Sequence, residues 1–170
     1  CGTWTHLGLD ETRDIPRLAV DPGNPDVCYV AALGRLWGPN PERGVYKTSD
    51  GGVTWKQVLK IDPNTGACDV VVDPQRPDTV YAAMYARRRT PWSFSGAGDT
   101  GGIFRSDDGG QTWKKKTQGL PPRTGRIGMA LFPQNPGILY AVVESDFGGG
   151  GRSPFDNYSI SGGLFRSDDR

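Results

Sequence analysis

Long stretches without glycine or proline are scarce in this sequence. With 25 Gly and 14 Pro among 170 residues, the longest such run is 78–90. Almost nowhere is there room for an α-helix of three turns. The two residue types together stay below the roughly 25–30% that marks low-complexity chains, and their spacing is regular, which points to turns rather than disorder. Charge of one sign is lacking too. Twenty basic against 19 acidic residues leave a net +1, which gives no general drive toward nucleic acid or an anionic membrane. No apolar run approaches the ~20 residues that would cross a bilayer. Cysteine is sparse and odd in number: Cys1, Cys28 and Cys68 show no C-x-x-C spacing, which argues against a structural zinc site or a disulfide framework. Cys28 and Cys68 lie in apolar, strand-like runs and read as small buried thiols; spacing alone leaves a bridge between them open. The single histidine, His6, has no Ser or Cys partner at a recognisable spacing. Neither a histidine-based triad nor a metal cluster can be read, and no cofactor or metal is expected.

What the chain does have is a recurring turn. Ser106-Asp107-Asp108-Gly109-Gly110-Gln111-Thr112-Trp113 is matched by Thr48-Ser49-Asp50-Gly51-Gly52-Val53-Thr54-Trp55, giving the pattern [ST]-x-D-x-G-x-T-W. A third copy begins at Ser167-Asp168-Asp169, and Thr3-Trp4 matches the back half of another. Each residue type suits a tight β-hairpin. Asp50, Asp108 and Asp169 can accept backbone N–H groups across the turn. Gly52 and Gly110 can adopt φ > 0 without steric cost. Thr54 with Trp55, and Thr112 with Trp113, can open the return strand, where β-branched and aromatic residues pack well. Thr48 and Ser106 close the preceding strand.

Other features keep the same phase. Tyr29, Tyr81 and Tyr140 recur at intervals of 52 and 59 residues, as do Pro22, Pro74 and Pro133. Periods of this length, with several short strands each, predict propeller blades rather than a helical solenoid. Four strands per repeat are expected. The first are 17–20, 69–72 and 128–131; the second are 27–33, 80–85 and 138–144. The third are 44–48, 102–106 and 163–167; the fourth are 54–60 and 112–117, with 4–7 as the last strand of a preceding blade. The expected fold is an all-β propeller segment of about three four-stranded antiparallel blades. Residues 1–14 form a strand and connection, 15–66 and 67–125 complete blades, and 126–170 a blade lacking its last strand. The run 78–90 has fair helix propensity, but the matching segments VCYVAAL and ILYAVVE are β-rich, so strand is the expectation there as well.

The turn pattern is the Asp-box, and the chain resembles the Asp-box (BNR) β-propellers, most closely the bacterial glycosyl-hydrolase-like proteins related to the sortilin propeller. The resemblance implies a piece of a larger exported protein, extracellular or periplasmic, whose remaining blades are its first partners. It also implies that the box is structural and lies on the face away from the ligand. The box occurs in sialidases, xyloglucanases, sorting receptors and assembly factors alike, so it specifies fold far better than activity.

Alternation of turns in an antiparallel blade puts the long loops 34–43, 87–101 and 145–162, with the connections 10–14, 62–66 and 121–125, on the face opposite the boxes. Long loops of individual composition on a rigid scaffold are where binding resides. Candidate ligand-face residues are Trp37, Glu42, Arg43, Arg87, Arg88, Arg89, Trp92, Asp99 and Tyr158. Arginine offers bidentate recognition of carboxylate, phosphate or sulfate, and Trp a platform for a sugar or a cation. A bland alternative has these arginines solvated or paired with Glu42 and Asp99. The primary expectation is a binding module for peptide, protein or glycan. The alternative is a glycoside hydrolase using two of the loop carboxylates Asp10, Glu11, Asp14, Asp99, Asp146 and Asp156, which would have to face one another across a cleft. A sialidase is disfavoured: the order here is Ile15-Pro16-Arg17, so the Arg-Ile-Pro motif of that family is absent. Gly148 to Gly151 lacks the Lys-Ser/Thr of a phosphate loop. Lys114, Lys115 and Lys116 read as a charged sheet edge that discourages aggregation.

Overall fold

The computed structural model describes residues 2–145 and 161–169. A single 3-10 turn, Asp10–Thr12, precedes the strands. The first sheet contains β1 (Arg17–Asp21), β2 (Asn24–Ala32), β3 (Gly44–Thr48) and β4 (Lys56–Leu59), antiparallel and in chain order. Next come β5 (Thr65–Val72) and β6 (Val80–Ala86), a small hairpin of β7 (Arg88–Thr90) and β8 (Ser93–Ser95), then β9 (Gly102–Ser106) and β10 (Lys114–Lys116). The second sheet runs β5-β6-β9-β10, with β7-β8 projecting from it as a separate two-stranded ribbon. A third sheet holds β11 (Thr124–Leu131), β12 (Leu139–Ser145) and β13 (Ser161–Ser167).

The sheets stack face to face, and β6 shows why. Its side chains alternate, and both sets are apolar, so both faces are buried. Val80, Ala82 and Met84 join Tyr29, Ala31, Val45 and Phe104 between the first and second sheets. Tyr81, Ala83 and Tyr85 join Ile127, Met129, Ala141 and Val143 between the second and third. Strand β12 is apolar on both faces too, but only one is covered: Tyr140 and Val142 remain exposed.

The repeated turns are built alike. Asp50 Oδ1 accepts from Thr48 Oγ1 (2.7 Å) and from the Thr54 amide (2.9 Å), while its Oδ2 accepts from Thr54 Oγ1 (2.6 Å). Asp108 repeats this with Ser106, the Thr112 amide and Thr112 Oγ1 at 2.7, 2.8 and 2.5 Å. The second glycines, Gly52 and Gly110, have φ of 92° and 91°, and their amides donate to Thr48 Oγ1 and Ser106 Oγ. In the third copy Ser167 Oγ donates to Asp169 Oδ1 at 2.8 Å.

The turns at Asp50 and Asp108 also dock on the preceding element. The Gly109 carbonyl accepts from Tyr29 Oη (3.0 Å) and Lys47 Nζ (2.8 Å) of the first sheet. Tyr29 and Lys47 are cross-strand partners, with the ammonium 5.2 Å from the ring centre. The same pair recurs as Arg105 over Tyr81 (5.7 Å) and Arg166 over Tyr140 (5.5 Å). Gly110 packs on Val58, and Gly52 packs on Leu7 in the same way: a Cβ at Gly52 would lie 2.7 Å from Leu7 Cδ1.

The structure departs from the sequence expectations in four places. Residues 4–7 form no strand; they have no neighbouring strand to pair with, although Leu7 occupies the place that Val58 takes in the next repeat and its carbonyl accepts from Trp55 Nε1 at 2.8 Å. The fourth strands β4 and β10 start later than expected, because Thr54 and Thr112 are tied back to the turn aspartates. Strands β5 and β11 start earlier, at Thr65 and Thr124, each with a register shift that absorbs the extra length. Residues 87–101, expected as an irregular loop, carry the β7-β8 hairpin. Cys28 and Cys68 are both free thiols; burial pushes Cys68 up to about 11.

Candidate functional site

The loop 33–43, the connection 60–65 and the β7-β8 arm meet at one end of the sheets, and the repeated turns lie at the other. Asn40 N donates to Pro63 O at 2.8 Å, and Arg87 N donates to Asn64 O at 3.1 Å, which joins the three segments. At the opposite end Gly51 N reaches Asp26 O and Gly109 N reaches Asp78 O, so these two recurring turns lie against the start of the second strand or the turn before it in their own sheets.

Arg43 is the centre of the loop end, and it is buried at 1% exposure. The sequence reading set it on the ligand face; it lies beneath that face instead. Its Nη1 donates to Asn64 O and Arg87 O at 3.2 Å each, and its Nη2 to Arg35 O (2.8 Å) and Gly38 O (3.3 Å). One guanidinium therefore fastens two loops and a connection. Planarity and a fork of donors make arginine suited to this, where lysine would offer a point charge. Gly34, with φ of 77°, leaves the space through which Asn40 and Arg43 pass. Burial, reinforced by the like charges of Arg87 and Arg35, lowers the Arg43 pKa. Arg43 Nε and Asn40 Oδ1 are buried without a hydrogen-bond partner among the described residues. Glu42 is held as well: its Oε2 accepts from Asn40 Nδ2 at 2.6 Å.

Above this hub sits an aromatic and cationic stack. Trp37 makes a parallel backbone bridge to Arg89 on β7, which in turn pairs with Phe94 on β8. The Arg89 guanidinium lies 5.7 Å from the Trp37 ring and 5.9 Å from the Phe94 ring. Trp92, in the turn of the hairpin, is 85% exposed, and Trp37 51%. Arg87 turns away toward Asp14, at 3.9 Å, and Asp99 lies 3.7 Å from Arg123. Arg88 is exposed and has no carboxylate within 4 Å among the described residues. Thus the structure brings Trp37, Arg89 and the unanticipated Phe94 together, puts Trp92 beside them on the same hairpin, and leaves Asp99 with Arg123. Tyr158, Asp146, Asp156 and Gly148 to Gly151 lie outside the described residues.

Sequence reasoning also missed Glu144, whose Oε2 accepts from Arg126 N at 3.0 Å. Tyr85 lies near it; burial first, and then the Glu144 charge, raise the phenol. The only sequence signal for either was its place at the loop end of a second strand. Among the described residues no group of three or more His, Cys, Asp or Glu could hold a metal ion. A lateral groove of about 480 Å³ runs between the second and third sheets, lined by Tyr81, Ile103, Lys115, Leu120 and Phe165. No helix among the described residues is long and apolar enough to cross a membrane.

No family model matches the chain. Among curated proteins it is similar to the xyloglucanase Xgh74A of Acetivibrio thermocellus, with 31% identity over 124 residues, 64% of this chain. The chain spans 14% of the length of the curated relatives it matches. Among solved structures it is similar to an ancestral GH74 enzyme, with a TM-score of 0.56 and 24% identity, over 77% of this chain and 16% of that one. That likeness concerns fold: the stacked antiparallel sheets are a β-propeller segment.

Proposed function

We propose that the chain is part of a secreted, carbohydrate-active β-propeller of the glycoside-hydrolase type, and that its loop end binds a β-glucan main chain such as that of xyloglucan. The observation that carries this reading is the 31% identity to a xyloglucanase over 124 residues. The exposed Trp37 and Trp92 on the loop end support it, since flat aromatic faces suit the apolar face of a pyranose. The reading favours the hydrolase alternative over a peptide-binding scaffold. On this reading the recurring turn is the Asp-box, the blades divide at 15–66, 67–125 and 126–170, and further blades cover the two outer sheet faces.

The share of the work assigned to this segment is glycan binding. Hydrolysis needs two carboxylates across the scissile bond, about 5–5.5 Å apart for retention or 6.5–9.5 Å for inversion. Asp14 and Asp99 each lie near an arginine instead. Affinity electrophoresis through gels containing xyloglucan tests the reading. Retardation of the chain is expected, weakened roughly tenfold, about 1.4 kcal/mol, by Trp92→Ala or Trp37→Ala. Unretarded migration, or retardation indifferent to both substitutions, overturns it.

A further inference from the structure

The stack at the loop end has one property that a site for a neutral glucan does not need. Arg89 on β7 has Trp37 on one side and Phe94 of β8 on the other, with its guanidinium 5.7 and 5.9 Å from the two ring centres, and its N–H groups donate to nothing among the described residues. A planar cation lodged beside two rings with its donors unused is available for bidentate recognition of a carboxylate. The local charge points the same way. Arg88 and Arg89 have no carboxylate within 4 Å among the described residues, and Arg35 donates only to the Pro39 carbonyl, at 2.6 and 3.1 Å. Glu42, the one carboxylate in the loop 34–43, is engaged by Asn40. The exposed ring of Trp37 lies against the cation, and the exposed Trp92 stands in the turn of the same hairpin, so both can hold a flat, partly apolar ring. An extended acidic peptide would match the charge but not the two platforms.

We propose that Arg89, flanked by Trp37 and Phe94 with Trp92 in the adjoining turn, is a subsite for a pyranose bearing a carboxylate, that is, a uronosyl residue of an acidic glycan. This rests on the glycan-binding reading and narrows its ligand: the aromatic rings take the sugar face, and the Arg89 fork takes the carboxylate.

The test is calorimetric titration of the chain with a galacturonate tetramer, with cellotetraose as the neutral counterpart and a short poly-glutamate as the acidic peptide. The expected result is at least tenfold tighter binding of the galacturonate than of cellotetraose. Arg89→Gln should abolish that preference, and Arg89→Lys should remove most of it, because the charge survives but the stacked fork does not. Lys114→Gln, an equal loss of charge on the far strand β10, should change it less than twofold. Thermal melting of each variant confirms that the exposed substitutions leave the fold intact. The inference is overturned if the two saccharides bind alike, if Lys114→Gln matches Arg89→Gln, or if poly-glutamate binds as well as galacturonate. Cellotetraose binding that depends on Trp92 without any acidic preference overturns the inference alone. Failure of both saccharides overturns the glycan-binding reading with it.

Discussion

Asp50 is an exposed carboxylate and Asp108 a half-buried one, and the pKa values of both fall to about 2 from an ordinary 3.8. The leading cause is the hydroxyl of the threonine four residues on, followed by that residue's amide and then the Thr48 or Ser106 hydroxyl. The folded pKa lies below the unfolded one, so the stabilisation these turns give is present above the unfolded value and is lost as pH falls through about 2. NMR titration of the carboxyl carbons should find both midpoints near 2. Thr54→Val should move the Asp50 midpoint up toward 3.8 and leave that of Asp108 in place. Wild-type midpoints at the ordinary value would remove the account. The role of these aspartates was legible in the sequence because every partner lies within four residues. Arg43 was not legible. Its burial depends on the space beside Gly34 and on carbonyls from residues 35, 38, 64 and 87, and no local pattern encodes that convergence.

Elements whose register follows a two-residue period could be read directly. Strand β6 is apolar at every position from Val80 to Tyr85, which suits a strand buried on both faces. The β7-β8 hairpin escaped notice because Pro91-Trp92 is not a signature hairpin turn, and its strands carry five exposed Arg, Ser and Phe positions in place of a buried apolar face. The Tyr–cation pairs escaped for a related reason. Tyrosine recurrence was visible, but its partner is set by pairing β2 with β3, β6 with β9 and β12 with β13. In the first sheet this pair clamps the next turn, since Tyr29 Oη and Lys47 Nζ both donate to Gly109 O. Tyr29→Phe should therefore cost about 1 kcal/mol, lowering Tm by roughly 2–4 °C for a chain of this size. Tyr140→Phe, whose hydroxyl meets only the exposed Arg166 among the described residues, is expected to stay within about 0.5 kcal/mol. Because Tyr29 and Lys47 share one acceptor, Tyr29→Phe and Lys47→Gln should be non-additive in a double-mutant cycle. Equal effects of the two tyrosine substitutions on thermal melting would rule the clamp out.

At the scale of the molecule, one rule explains both the core and the outer faces. Every sheet presents Tyr and small apolar residues from its second strand toward the next sheet, and its alternate positions toward the previous one. Two interfaces obey it inside the chain. The same rule leaves two faces open. On the first sheet Leu18 and Val20, opposite Val30 and Cys28, are 58% and 48% exposed. On the third, the cross-strand pair Val142 and Leu164 are 59% and 71% exposed, beside Tyr140 at 39%. Contiguous exposed apolar surface of this kind marks an interaction site. The two faces are complementary in the sense of the internal interfaces, one the front of a repeat and the other the back. Contact between them is head-to-tail, and such contacts close into rings or run on as filaments. The chain alone is accordingly expected to self-associate in sedimentation velocity across a concentration series. Val142→Lys with Leu164→Lys should return it to the monomer and raise its solubility, while the exposed Val53→Lys, in a recurring turn at 82% exposure, should change nothing. A wild-type chain that stays monomeric throughout the series would mean that these faces are not the continuation of the internal interfaces, and that the repeat rule stops at the second one.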